Sequence, residues 1–147
     1  MYTGQWNGKD IHGRGTLEMP DGSKYEGFWE RNQKNGKGKY THADGMTYDG
    51  DWKDDLQHGY GIECLEDGSR YEGNFAHGEK HGHGSMAESD GSTYVGDWFE
   101  NEHNGTGTYT WADGRIYEGE WKDGNMDGYG KYTWPDGNMY EGSYLNG

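Results

Sequence analysis

A single cysteine, Cys64, two prolines and only 13 Lys and Arg stand in a chain of 147 residues. One thiol cannot make an intrachain disulfide framework or a cysteine zinc site, so a reduced, intracellular setting is the expectation. Set against 27 Asp and Glu, the few basic residues leave a formal charge of −14. Nucleic-acid phosphates and anionic lipid headgroups are both held by basic patches, so neither nucleic acid nor an anionic membrane is an expected partner. Long apolar runs are also missing. Nothing approaches the roughly 18 residues of a membrane helix, and no signal-type apolar segment follows Met1. Low hydropathy with high charge is a signature of disorder.

What is abundant argues the other way. The chain has 29 glycines and 23 aromatic residues, and both fall at fixed spacing. Tyrosine recurs every 23 residues at Tyr2, Tyr25, Tyr48, Tyr71, Tyr94, Tyr117 and Tyr140. Two residues after each stands a glycine, and two further on a ring: Trp6, Trp29, Trp52, Phe75, Trp98, Trp121 and Tyr144. A Gly-x-Gly follows, from Gly13-x-Gly15 to Gly128-x-Gly130, and an Asp-Gly pair closes each unit. No insertion breaks the register.

Alternation with period two predicts strands. One strand runs through Tyr-x-Gly-x-Trp, and a second through Gly-x-Gly and about four residues beyond. Between them, Asn32, Asp55, Gly78, Asn101 and Gly124 tolerate positive φ, and the first unit offers Gly8 one place earlier. The Asp-Gly pair supplies the other turn. The expected fold is all-β: an elongated, twisted, single-layer antiparallel meander of about thirteen short strands. Tyr, Gly and Trp share one face, the paired glycines of the next strand share it too, and a ring from one strand lies over bare backbone of its neighbour. A 23-residue unit cannot offset its own ordering entropy with a few rings, so stability requires stacked neighbours.

Tyr-Glu-Gly-x-Trp, then Gly-x-Gly, then Asp-Gly, as in "YEGFWERNQKNGKGKYTHADG", resembles the MORN repeat (membrane occupation and recognition nexus). The resemblance covers residues 1–147 as one array, six full repeats plus the first strand of a seventh, and the array is open to being a segment of a longer one. It implies an aromatic-lined groove and a scaffolding or binding role without catalysis. It also implies a cytoplasmic place beside cytoskeleton or cilium, where such repeats occur, with other proteins as partners. The alternative carried by the family name is a peripheral phospholipid-binding module.

The expected partner groove is formed by Tyr25, Trp29, Tyr48, Trp52, Tyr71, Phe75, Tyr94, Trp98, Tyr109, Trp111, Tyr117, Trp121, Tyr132 and Trp134. Its C-terminal third, with the continuous rings Tyr109, Trp111, Tyr132 and Trp134, should be the stickiest part, and Glu63 and Glu88 should loosen the middle. Phe28 and Phe99 fall on the outer face by alternation. Edge strands at 2–6 or 140–144 are candidates for pairing with a second copy.

No catalytic, metal or cofactor site is expected. His12, His58 and His81 share one register position, but equivalent residues lie two strands apart, roughly 9–10 Å, too far to share a zinc ion. His77, His81 and His83 are the nearest approach to a metal cluster. "DGNMDG" at 123–128 opens like a calcium loop, yet Trp134 stands where a bidentate Glu is required. No nucleophile, base and oxyanion donors come together.

Overall fold

The computed structural model describes residues 1–145. Its strands are β1 (Tyr2–Asn7), β2 (Asp10–Glu18), β3 (Lys24–Glu30), β4 (Gln33–Thr41), β5 (Thr47–Lys53), β6 (Leu56–Cys64), β7 (Arg70–Ala76), β8 (Glu79–Ala87), β9 (Thr93–Phe99), β10 (Glu102–Thr110), β11 (Ile116–Lys122), β12 (Asn125–Thr133) and β13 (Met139–Tyr144). They form one open antiparallel sheet in chain order, each strand hydrogen-bonded to its sequence neighbours. Twelve strand spacings give a length of about 56–59 Å. The even-numbered strands are nine residues long and begin three residues before the first glycine of Gly-x-Gly, earlier than period-two reading places them.

The reason is a bulge. Gly27 pairs with Gly38, but two residues along β3 Trp29 pairs with Lys34, so the register shifts between the two glycines of β4 and the turn. The same shift recurs in each hairpin of Tyr-strand and Gly-x-Gly strand. The first glycine of each pair sits in this bulge with φ between 80° and 98°. That finding corrects the expectation that both glycines lie under rings. A Cβ on Gly36 would point to the outer face and meet Phe28, and on Gly59 it would meet Asp51. The bulge needs the left-handed backbone that glycine supplies.

The second glycine behaves as expected. A Cβ on Gly15, Gly38, Gly61, Gly84, Gly107 or Gly130 would fall inside the tyrosine ring of the preceding strand. These glycines pair in turn with Gly4, Gly27, Gly50, Gly73, Gly96, Gly119 and Gly142, making an unbroken row of glycine across all thirteen strands. The tyrosine ring lies flat on that row and its hydroxyl donates to a backbone carbonyl three residues on, as from Tyr25 to Phe28 at 2.9 Å and from Tyr94 to Asp97 at 2.8 Å. Each tyrosine then meets the ring of its own strand edge to face, and the ring of the next unit likewise: Tyr25 lies 4.9 Å from Trp29 and 5.4 Å from Trp52. The indole N–H reaches back a further strand, from Trp29 to the Gly15 carbonyl at 3.1 Å and from Trp121 to that of Gly107 at 3.1 Å. Large rings and bare backbone are thus one device: the glycine row admits the rings, and the rings take the place of a second layer.

The turns divide by type. At the Trp-side tips from the second unit on, both corner residues are left-handed, as in Arg31 and Asn32 (φ 49° and 68°) or Glu100 and Asn101 (48° and 71°), while at the first tip only Gly8 is; only the second of each pair had a sequence signal. These are the two-residue turns whose twist suits a hairpin. At the opposite tips the chain makes a three-residue turn: Gly22 N–H donates to the Met19 carbonyl at 3.0 Å and Met19 N–H to that of Ser23 at 2.9 Å, with Gly22 at φ 95°. The Asp21 carboxylate accepts from Ser23 N–H at 2.9 Å. The tip residue Asn32 also joins units, because its side chain accepts from Ile11 N–H at 2.7 Å while its own N–H donates to the Ile11 carbonyl. Asn101 repeats this with Lys80.

Candidate partner-binding face

Ten of the fourteen residues expected to line the groove are its buried floor. Tyr25, Trp29, Tyr48, Trp52, Tyr71, Phe75, Tyr94, Trp98, Tyr117 and Trp121 are each at most 8 % exposed. They form the core and support a surface without being that surface. Burial pushes the hydroxyl pKa of Tyr25, Tyr48, Tyr71 and Tyr94 upward, so these phenols stay neutral. The other four expected residues present area to solvent: Tyr109, Trp111 and Tyr132 are half-buried and Trp134 is 40 % exposed.

These four belong to a strip along the Gly-x-Gly strands. Leu17, Tyr40, Glu63, Met86, Tyr109 and Tyr132 stand opposite the core tyrosines in register. The rings touch along the strip: Tyr109 to Trp111 at 4.7 Å, Trp111 to Tyr132 at 5.3 Å and Tyr132 to Trp134 at 4.4 Å. Arg115 lies over Trp111 at 5.0 Å and donates to the Tyr132 hydroxyl at 3.1 Å.

A second set of residues on this face falls before the expected second strand, which starts at Gly-x-Gly, whereas the observed strand begins three residues earlier. Ile11, Lys34, Gln57, Lys80, His103 and Met126 occupy one position in six successive units and lie beside the core rings. Lys34 stands over Tyr25, Tyr40 and Trp52 at 5.5–5.7 Å. Lys80 stands over Tyr71 at 5.5 Å and lies 3.8 Å from Glu63, the two side chains being only 18% and 14% exposed. Glu63 is therefore a paired member of the face. A concavity of about 370 Å³ opens here between Lys34, Tyr40, Trp52, Leu56, Gln57 and Glu63. Glu88 accepts from the Tyr109 hydroxyl at 3.0 Å, and burial followed by that carboxylate raises the Tyr109 pKa.

His103 is the extreme case. It stacks on Tyr94 at 3.8 Å with planes 8° apart and meets Trp98 and Trp121 edge to face. Burial lowers its pKa to about 4, so the imidazole is neutral near pH 7.

Beside the strip, the Asp-Gly turns carry an exposed row of carboxylates, Asp21, Asp44, Asp67, Asp90, Asp113 and Asp136. Backbone N–H groups two residues on hold Asp21, Asp67, Asp90 and Asp113 below the usual carboxylate range. The opposite face of the sheet is polar, with Glu26, Lys39 and Asp49 adjacent in register. Phe28 and Phe99 are exposed there, Phe28 beneath Arg14 at 6.0 Å and Phe99 beside His81 at 5.2 Å. Among the described residues, no three His, Cys, Asp or Glu side chains converge as metal ligands would.

A family model described as MORN repeat matches six segments, residues 2–24, 25–47, 48–70, 71–93, 94–114 and 117–139. No curated protein matches the chain. One similar solved structure is the SAS-4 (dCPAP) TCP domain in complex with a proline-rich motif of Ana2 (dSTIL), of Drosophila melanogaster. It is 15% identical, with a TM-score of 0.47, over 92% of this chain and 90% of that one. At that score the likeness carries no argument about binding.

Proposed function

Because the chain belongs to the MORN-repeat family, a non-enzymatic repeat module, we propose that it is a scaffold that binds partner proteins through its ring-bearing face. The observation carrying this reading is the strip Tyr109–Trp111–Tyr132–Trp134, large rings in mutual contact, half-buried to exposed, over which no further element packs among the described residues. A monomer rarely exposes such rings together without a partner. The buried tyrosines and tryptophans beneath serve as a rigid bed, which lowers the ordering cost of binding. A cytoskeletal or ciliary setting belongs to the same reading, as does self-association through the unpaired edges of β1 and β13.

The test is capture of partners from a cell extract by the wild-type chain and by Trp111→Ala/Trp134→Ala, with circular dichroism as the fold control. Loss of capture with the fold intact is expected. Capture undiminished in the variant would place binding elsewhere. Co-sedimentation with anionic vesicles at physiological salt, retained in place of protein capture, would favour the lipid alternative.

A further inference from the structure

The geometry points to the occupant of this face as an extended segment of another protein that carries Lys or Arg at every third residue, with apolar residues between. The inference rests on the ring-bearing face being the binding surface. It adds the chemistry and spacing of what binds.

The edges that flank the strip are mostly acidic, and the cations on the face itself, Lys34 and Lys80, already lie beside Asp55 and Glu63 at 3.6 and 3.8 Å. Met19, His42, Leu65, Glu88, Trp111 and Trp134 each open an Asp-Gly turn, so the exposed rings run directly beside that edge. The turn segments 18–24, 41–47, 64–70, 87–93, 110–116 and 133–139 hold nine acidic residues and three basic ones. All three bases are already engaged: Lys24 with Glu26 at 2.7 Å, Arg70 with Glu72 at 3.4 Å and Arg115 with Asp113 at 2.7 Å. The opposite tips, at 7–10, 30–33, 53–56, 76–79, 99–102 and 122–125, hold eight acidic and four basic residues. An acidic segment laid between these edges would be repelled along its whole length, whereas a basic one is drawn in and its cations find both rings and carboxylates.

The spacing sets the period. Equivalent carboxylates recur every second strand, about 9.4–9.8 Å apart. A segment running along the rod in polyproline II form advances about 3.1 Å per residue with three residues per turn, so three residues span about 9.3 Å and every third side chain lies on the same side, whereas a β-strand would alternate them. One basic residue in three then meets one Asp per repeat, and the intervening residues lie on the strip. A helix returns to one face only every seven residues, a rise of about 10.5 Å, and so runs past the carboxylates by about 0.7–1.1 Å at each repeat.

The experiment measures fluorescence anisotropy of a labelled peptide of five Lys-Pro-Leu triplets against the full chain in low salt. Comparison peptides are one of the same composition with its lysines in pairs, and one with Glu for Lys. Tight binding of the triplet peptide is expected, severalfold weaker binding of the reordered one, and at least tenfold weaker binding of the Glu peptide. D44N/D67N/D90N/D113N keeps the side-chain oxygen that each turn uses. At about two- to threefold per exposed contact, it should weaken the triplet peptide roughly tenfold or more, with the difference closing as salt rises. Equal binding of all three peptides, lost in Trp111→Ala/Trp134→Ala, would overturn the basic period-three inference while leaving the face in place. Binding indifferent to those tryptophans would overturn both. Binding of neutral phosphatidylcholine vesicles, with no peptide bound, would overturn the peptide assignment in favour of a lipid surface.

Discussion

Gly107→Ala adds one methyl group where the structure has the ring of Tyr94. Gly107 is not among the left-handed glycines, so the cost is steric and not torsional. The new Cβ would fall less than 3.0 Å from the Tyr94 ring atoms, and that ring is held by His103, Trp98 and Trp121. Overpacking of this kind costs about 1–3 kcal/mol. Displacing the ring also strains or breaks the Tyr94 hydroxyl bond to the Asp97 carbonyl, about 0.5–1.5 kcal/mol. Alanine recovers about 0.5–1 kcal/mol through the unfolded chain, so a net loss of about 2–3 kcal/mol is expected. The cause is isolated by a cycle with Tyr94→Leu, which removes the ring and by itself costs about 2–4 kcal/mol. In that background the methyl group enters vacated space, and the double variant should be more stable than the sum of the singles by about 1–2 kcal/mol. Gly124→Ala is the contrast: φ is 83° and nothing lies within 4 Å of its Cβ, so only the left-handed cost of about 1–2 kcal/mol remains. Urea melts followed by circular dichroism, with amide exchange across β9–β11 to locate the opening, supply the numbers. Gly107→Ala within 0.5 kcal/mol of wild type, or strict additivity in the cycle, would refute the packing of ring on bare backbone.

Other outcomes follow from the same geometry. Gly124→Asn should gain about 0.5–1 kcal/mol, because Asn101 at the equivalent tip accepts from the preceding unit and Gly124 cannot; a lowered melting temperature would contradict this. The folded-state pKa of His103 is about 4, below its unfolded value of 6.5, so the unfolded chain binds the extra proton first. Stability from this group is full above about pH 6.5 and falls toward pH 4, by on the order of 2–3 kcal/mol. In His103→Met, the residue type found at 126, that part of the pH dependence should vanish. Trp98→Phe removes the indole bond to the Gly84 carbonyl at 3.2 Å and should cost about 1–2 kcal/mol, since Phe75 already holds the same place in its own unit; a urea melt showing no change would mean that the indole bond contributes nothing.

Strand periodicity, the single ring-bearing face and the packing of rings over glycine backbone were legible in the chain because each depends on an exact 23-residue recurrence. Two things were not. The bulge at the first glycine is a backbone event that lets the second strand run back to the turn, so Lys34, Gln57, Lys80 and His103 fall before the expected strand and yet lie on the ring face. The division of rings into floor and surface was also hidden. Tyr25 and Tyr40 look alike in sequence, yet they pair across β3 and β4, and Tyr25 is enclosed edge to face between Trp29 and Trp52 while Tyr40 is half-buried.

Hydrogen exchange of the seven indole N–H groups by NMR tests that division most directly. Those of Trp29, Trp52, Trp98 and Trp121 donate to backbone carbonyls of the glycine row and should exchange slowly, whereas those of Trp111 and Trp134 should exchange at nearly the rate of free indole. Rapid exchange in the first group, or protection of Trp111 and Trp134 without a partner, would contradict a face built of buried rings beneath an open aromatic strip.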